Sequence, residues 1–170
     1  IKNAKVTGVK AKTYTGKALT QSVTVKLGTT TLKKGTDYKI TYKNNKSVGT
    51  ATMTVTGIGK YTGTVTKTFK INPKGTSIRK VTAGKKALTA IWNKQTAQTT
   101  GYQIQYSTSS KFTAKTTKTV TITKNKTTRK VIKKLKAGKK YYVRIRTYKK
   151  IGKTNYYSAW SKSKAVKTKK

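Results

Sequence analysis

The chain has 170 residues, of which 42 are Lys or Arg and only one, Asp37, is acidic, so its formal net charge is +41. It contains no His, no Cys and no Glu. This removes the side chains that usually carry protons near neutral pH, form disulfides or bind zinc. A hydrophobic fraction of 33% at this charge is typical of disordered chains. The apolar residues nevertheless alternate with Thr and Lys as half-buried strands require, which predicts a folded β protein with a thin core.

Four stretches of the first half show the period-2 alternation of strands that bury one face. Their apolar positions, in chain order, are Val23, Val25 and Leu27, then Tyr38, Ile40 and Tyr42, then Ala51, Met53 and Val55, and finally Val65, Phe69 and Ile71. Turns rich in Gly and Asn separate these stretches. Lys67 falls on the inward side of the last strand. Either a β-bulge changes the phase there, or the lysine reaches solvent at a sheet edge.

Four short motifs also follow one another in this half. They are Gly35-Thr36-Asp37-Tyr38, Tyr42-Lys43-Asn44-Asn45, Gly49-Thr50-Ala51-Thr52 and Tyr61-Thr62-Gly63-Thr64. In this order they resemble a bacterial immunoglobulin-like repeat of Gram-positive surface proteins, over residues 5–71. The resemblance implies a β-sandwich and a spacer or adhesive role.

The only proline, Pro73, lies between two strand-like runs. Proline restricts Asn72 to extended geometry, and a glycine two residues further on permits a turn, as in a short and stiff linker. We therefore expect an immunoglobulin-like domain over residues 1–72, a linker over 73–75 and a second domain over 76–170.

The second half repeats the strand pattern. Its apolar positions are Leu88, Ala90 and Trp92, then Tyr102, Ile104 and Tyr106, then Val120 and Ile122, then Val131, and finally Val143 and Ile145. These runs are short and separated by polar turns, which favours an antiparallel sandwich.

The stretch from Leu135 to Tyr141, with Gly138 in its turn, resembles the tyrosine corner of fibronectin type III domains. In that family a Leu, a turn with Gly and then a Tyr open strand F. Ala137 stands where the family often has Pro, which loosens the turn. The resemblance covers residues 76–167 and is similar to Lys-rich terminal modules of secreted Firmicutes proteins, which implies a role in carrying or attaching neighbours. The predicted fold is all-β, with two tandem β-sandwich domains, immunoglobulin-like and then fibronectin type III-like.

The outward positions of the strand after this corner are all aromatic or cationic, which predicts a surface of cations and aromatic rings. The stretch Tyr157-Ser158-Ala159-Trp160-Ser161 is similar to the Trp-Ser-X-Trp-Ser box of cytokine receptors, with a Tyr in place of the first Trp. Trp160 is expected to stack on Arg144 or Arg146. The sharper alternative is a nucleic-acid platform, on which bases stack between rings while lysines hold phosphate. The candidate stacking or anion-binding surface comprises Tyr142, Arg144, Arg146, Tyr148, Trp160, Lys162 and Lys164.

Catalysis and metal binding find few candidate residues. With one carboxylate and no His, paired-carboxylate and Ser-His-Asp mechanisms are excluded. Ser-x-x-Lys occurs at residues 77–80 and 161–164, but an offset of three in a strand places the two side chains on opposite faces. Asp37 is interpreted as a turn residue; the alternative is catalysis of an internal Lys-Asn amide cross-link. We expect no enzymatic activity, no catalytic residue, no metal site and no cofactor.

The expected function is that of a non-catalytic spacer or attachment module in a secreted or cell-surface bacterial protein. No apolar run approaches the roughly 20 residues of a membrane span, and residues 1–10 lack a signal-peptide core. If secreted, the chain is a fragment or mature portion. The expected partners are neighbouring domains of a larger chain and anionic polymers (cell-wall polymer, acidic glycan or nucleic acid), bound non-specifically.

Three alternatives stay open. The lysines could serve only to keep a Thr-rich sheet soluble and to protect its edges. The chain could be a specific adhesin, or a nucleic-acid or anionic-glycan binder. It could also be a subunit of an extracellular fibre, if anions bridge its like-charged copies.

Overall fold

A computed structural model describes all residues, 1–170, and shows an all-β chain. The chain forms two compact units, Ile1–Asn72 and Pro73–Lys170. The helical part is a single 3₁₀ turn, Ala114–Thr116, and no helix is long and apolar enough to cross a membrane. Each unit is a β-sandwich with its own core, so the predicted fold class, all-β with two tandem β-sandwiches, is confirmed.

The first unit contains seven strands in two sheets. One sheet has the order β1-β3-β4 and the other β2-β7-β6-β5; only the β2–β7 pair is parallel. The strands are β1 (Lys5–Thr7), β2 (Lys12–Thr13), β3 (Thr24–Leu27), β4 (Thr30–Thr31), β5 (Tyr38–Lys43), β6 (Gly49–Gly57) and β7 (Thr64–Asn72).

The core of this unit comes from the alternation seen in the sequence. Val25, Met53, Val55 and Ile71 are fully buried, while the threonines between the buried positions of β6 are partly exposed. Such burial contributes about 1.5 to 3 kcal/mol for each large side chain, which is how a thin core can hold a strongly charged chain together.

Lys67 reaches solvent without a bulge. It pairs with the buried Met53, and the β6–β7 register runs without a shift along the whole ladder. Strand β2 pairs only with Ile71 and Asn72, so the rest of β7 is a sheet edge. The structure therefore supports the second explanation, in which the lysine side chain reaches solvent at a sheet edge.

Asp37 closes the turn before β5. Its Oδ2 accepts a hydrogen bond from the N–H of Lys33 at 2.8 Å, and its own N–H donates to the carbonyl of Lys33 at 2.8 Å. The carboxylate therefore serves the turn, as the sequence predicts.

The second unit contains eight strands in two sheets. Strands β12-β9-β8 form one sheet, and β11-β10-β13-β14 form the other, in which β15 also pairs with β13. The strands are β8 (Ile78–Gly84), β9 (Ala87–Trp92), β10 (Gly101–Ser107), β11 (Thr117–Ile122), β12 (Arg129–Ile132), β13 (Lys140–Ile151), β14 (Thr154–Tyr157) and β15 (Lys164–Lys167).

Aromatic and branched side chains fill the second core. Trp92 packs edge-on against Tyr102, with ring centroids 5.4 Å apart, and both are buried. Ile104, Val143 and Ile145 are fully buried beside them. All five lie on inward positions predicted from the alternation.

The tyrosine corner is present. Tyr141 and Leu135 are buried, and the Tyr141 hydroxyl accepts a hydrogen bond from the N–H of Lys136 at 3.2 Å. Gly138 has a φ of 62°, a left-handed conformation that glycine adopts without strain. The glycine therefore lets the turn bring the tyrosine back over its own corner.

The segment predicted to be a linker, residues 73–75, belongs to the second unit. Pro73 is fully buried, and the Lys74 carbonyl accepts a hydrogen bond from the Thr147 hydroxyl at 2.8 Å. Whether residues 1–72 fold independently stays a prediction, tested below.

Candidate anion-binding surfaces

The outward face of the second unit carries two parallel rows of polar side chains. The antiparallel register aligns Arg144 with Gln105 and Thr119, and aligns Arg146 with Gln103 and Thr121. Residues paired directly across antiparallel strands share a face, so each row runs across β11, β10 and β13.

Hydrogen bonds hold each row in place. Arg144 donates from Nε and Nη2 to Gln105 Oε1 at 2.9 and 2.7 Å, and Arg146 does the same to Gln103 Oε1 at 3.0 and 2.7 Å. The glutamine amides donate in turn to the threonine hydroxyls, at 3.2 Å to Thr119 and 3.3 Å to Thr121. The guanidinium groups are thus fixed by neutral acceptors in a unit that has no Asp or Glu.

Two serines place Trp160 above these rows. Between β14 and β15 the chain leaves the regular ladder, and the Ser158 and Ser161 hydroxyls accept hydrogen bonds from the N–H groups of Thr147 (3.0 Å) and Ile145 (3.1 Å). The serine N–H groups donate back to the carbonyls of the same two residues, at 3.1 and 2.8 Å. The serine side chains take the place of backbone hydrogen-bond partners of β13. Trp160 therefore lies over the arginines and not in the regular pairing of the sheet.

The result is a stack of rings and guanidinium groups, here called the stacked ladder. Arg144 Cζ lies 4.0 Å from the Phe112 ring centroid and 4.8 Å from that of Trp160. Arg146 Cζ lies 4.3 Å from the centroid of Trp160 and 3.8 Å from that of Tyr157. Trp160 therefore contacts both arginines, and each arginine contacts two rings.

Burial beneath the rings changes the arginines electrostatically. Desolvation lowers the pKa of Arg144 from its ordinary value, and it also lowers the pKa of Arg146. For Arg146, Tyr157 opposes this shift, while the neighbouring charge of Arg144 adds to it. Guanidinium groups stay protonated in proteins, so the ladder remains dicationic.

The other residues of the predicted surface lie outside the stack or at its margin. Tyr142 lies under the ammonium of Lys140, at 5.3 Å, and not against the arginines. Tyr148, expected to face outward, is buried, 6.2 Å from the ring centroid of Tyr157. It is aligned with Gly101, which has no side chain to hold it away from the sheet. Lys162 and Lys164 are exposed on the chain that follows Trp160.

The sequence did not identify Phe112 and Tyr157 as members of the ladder. Tyr157 belongs to the predicted box, and its place there is a usable signal. Phe112 lies in the loop between β10 and β11 at a φ of 52°, which is strained for an aromatic residue. No sequence pattern indicates that contact.

A second cationic feature lies at one end of the sandwich, here called the lysine cleft. It is a cleft of about 680 Å³ whose walls include Tyr106 and Tyr141. Their ring centroids are 6.3 Å apart, and burial, followed by the interaction with Tyr141, raises the pKa of Tyr106. Six lysines line it: Lys115, Lys118, Lys133, Lys134, Lys136 and Lys139.

Three separate elements bring these lysines together. Lys115 lies on the 3₁₀ turn, Lys118 on β11, and the other four on the loop between β12 and β13 that makes the tyrosine corner. The cleft was not apparent from the sequence because its lysines come from two separate stretches, residues 115–118 and 133–139, which only the fold brings together. The structure contains no group of three or more His, Cys, Asp or Glu side chains that could hold a metal ion.

Comparison with known proteins identifies the second unit. The family model described as Fibronectin type III domain matches residues 72–164. No curated protein sequence gives a significant match.

Two solved structures resemble the chain weakly. A β-1,2-glucanase from Parabacteroides distasonis is 15% identical over 71% of this chain, with a TM-score of 0.45. The FN1–FN3 domains of chicken CNTN1 are 13% identical over 98% of this chain, with a TM-score of 0.46. The chain spans 18% of the glucanase and 64% of the CNTN1 fragment, and neither similarity is close enough to transfer an activity.

Proposed function

The chain belongs to the fibronectin type III family, and from this membership we propose that it is a non-catalytic spacer or attachment module that binds polyanions by electrostatic attraction. Domains of this family are typically extracellular, generally non-catalytic, and parts of larger chains. The proposal extends to a bacterial secreted or cell-surface protein, in which the first unit is an immunoglobulin-like repeat of the kind found in Gram-positive organisms.

The charge balance is the observation that carries the proposal. Against 42 cationic side chains stands one carboxylate, Asp37, and that carboxylate is used in a turn of the first unit. The positive surface therefore has almost no internal partner and must be neutralised from outside. A polymer of fixed negative charges does this most effectively, because each contact releases condensed counterions.

The stacked ladder has a structural role in this proposal. Its two arginines already donate to glutamine oxygens and lie against rings. They therefore have fewer free hydrogen-bond donors and less exposed charge for a ligand than free lysines have. Base stacking would need exposed ring faces, whereas Trp160 is placed against both guanidinium groups. The ladder instead stiffens the sheet and keeps the segment between β14 and β15 on it.

A panel of ligands at one low salt concentration tests the proposal. We expect poly(glycerol phosphate), heparin and single-stranded DNA of matched charge to bind with affinities within about tenfold of one another, since each releases counterions in the same way. A neutral glycan is the control and should not bind. Tight binding to one member alone, or to the neutral glycan, would indicate a specific adhesin and contradict the proposal.

A further inference from the structure

We propose that the lysine cleft is a discrete binding site for a segment of a linear phosphate chain, holding one segment per protein molecule. The inference rests on the proposed affinity for polyanions and names one place where that affinity is concentrated. The volume of the cleft, about 680 Å³, lies within the range of small-ligand sites, roughly 300 to 1,000 Å³.

The position of Lys118 departs from the pattern of its strand. On β11, Ile122, Val120 and Lys118 are aligned with Tyr102, Ile104 and Tyr106, so all three lie on the side that faces the core. The first two are apolar, as that side requires, but the third is a lysine at the open end of the sandwich. A lysine on the core side carries a positive charge into the cleft instead of onto the outer surface.

The backbone conformation of Lys134 is a second, independent indication of a binding site. Its φ is 60°, a left-handed conformation that costs a non-glycine residue stability and that glycine adopts freely. Strained residues of this kind often occur at binding sites, where the side chain has a use that offsets the strain. A lysine at this position adds a cation to the cleft where glycine would suit the backbone better.

The lining residues favour phosphate over other anions. The cleft has no arginine, so it lacks the planar fork that binds carboxylates with two parallel hydrogen bonds. Lysine ammonium groups act as point charges that suit the compact, multiply charged oxygens of phosphate. Tyr141 is buried and Tyr106 is half-buried beside it, so these walls offer little free ring face to a nucleobase. A double helix is too wide to enter, since its major groove alone is about 12 Å across.

The test compares two triple variants of the full chain with equal loss of charge. The cleft variant carries Lys118→Gln, Lys134→Gln and Lys136→Gln. The control variant carries the same change at Lys80, Lys130 and Lys150, which are exposed lysines of the same unit outside the cleft. The probe is tripolyphosphate, titrated by calorimetry at low salt, and a flexible tetracarboxylate of similar charge serves as the second ligand.

We expect tripolyphosphate to bind one to one, with about a tenfold loss of affinity for each lysine removed from the cleft and little loss in the control. The tetracarboxylate should bind more weakly. A further variant, Lys134→Gly, should melt no lower than the parent chain yet bind tripolyphosphate about tenfold more weakly, which separates binding from folding.

Other results would overturn the site. These are equal losses in the two triple variants, several equivalents bound, equal binding of the tetracarboxylate, or no tripolyphosphate binding while polyanions still bind. In those cases the broader proposal stands. If the parent chain binds no polyanion at all, the proposed function fails as well.

Discussion

Replacing Trp160 with Ala removes the ring that contacts both arginines of the stacked ladder. Cation–π contacts at exposed sites contribute about 0.5 to 1 kcal/mol each, and Trp160 makes two, at 4.8 and 4.3 Å. The ring is only partly buried, so the apolar area lost adds a smaller amount. We therefore expect Trp160→Ala to lower the free energy of unfolding of the second unit by about 1 to 2 kcal/mol.

The assay can follow this unit alone. Both tryptophans of the chain, Trp92 and Trp160, lie in the second unit, so fluorescence excited selectively at tryptophan reports only its unfolding. In the variant, the buried Trp92 remains as the reporter. For a unit of about 100 residues, 1 kcal/mol corresponds to a shift in Tm of about 4 to 8 °C, so the expected decrease is readily measured.

Two matched variants decide what an observed loss means. Trp160→Phe keeps a ring over the arginines and should recover part of the loss. Ile151→Ala removes the most exposed large apolar side chain and should change Tm little. The stacking argument would be refuted if Trp160→Ala left the Tm of the second unit where it was, or if Trp160→Phe lost as much as Ala.

Three more changes test the fold. Expressed separately, residues 1–72 and 73–170 should each unfold cooperatively on heating; if neither does while the whole chain does, the units are not independent domains. Gly101→Ala should lower the free energy of unfolding by more than about 3 kcal/mol, because a Cβ there would collide with the carbonyl oxygen of Ile122. A Tm close to that of the parent chain would show that the strands can separate to make room. Tyr141→Phe should cost about 1 to 3 kcal/mol in urea unfolding by removing the acceptor of a corner N–H, and an unchanged midpoint would mean that this hydrogen bond is not needed.

The sequence predicted the strands well because burial on one face of a sheet leaves a local, two-residue pattern. Met53, Val55, Ile104 and Ile145 were assigned to the core from that pattern alone, and all are fully buried. The tyrosine corner was equally readable, since its Leu, Gly and Tyr lie within seven consecutive residues that end at Tyr141.

Contacts between distant parts of the chain left no such signal. Phe112 reaches Arg144 from a loop, and its left-handed backbone conformation has no sequence signature in an aromatic residue. Tyr148 follows the outward alternation but is covered, because burial there depends on which residue lies opposite on another strand. A local sign of the cleft was Lys118, a charged residue in an apolar alternation.

The salt dependence of polyanion binding tests the central claim most directly. If counterion release supplies the affinity, the logarithm of the association constant for poly(glycerol phosphate) falls linearly with the logarithm of the salt concentration. Several phosphate contacts then predict a loss of about a thousandfold or more between roughly 50 and 200 mM salt. Affinity that stayed nearly constant over this range would mean that hydrogen bonds and apolar contacts hold the ligand, and it would contradict binding by charge.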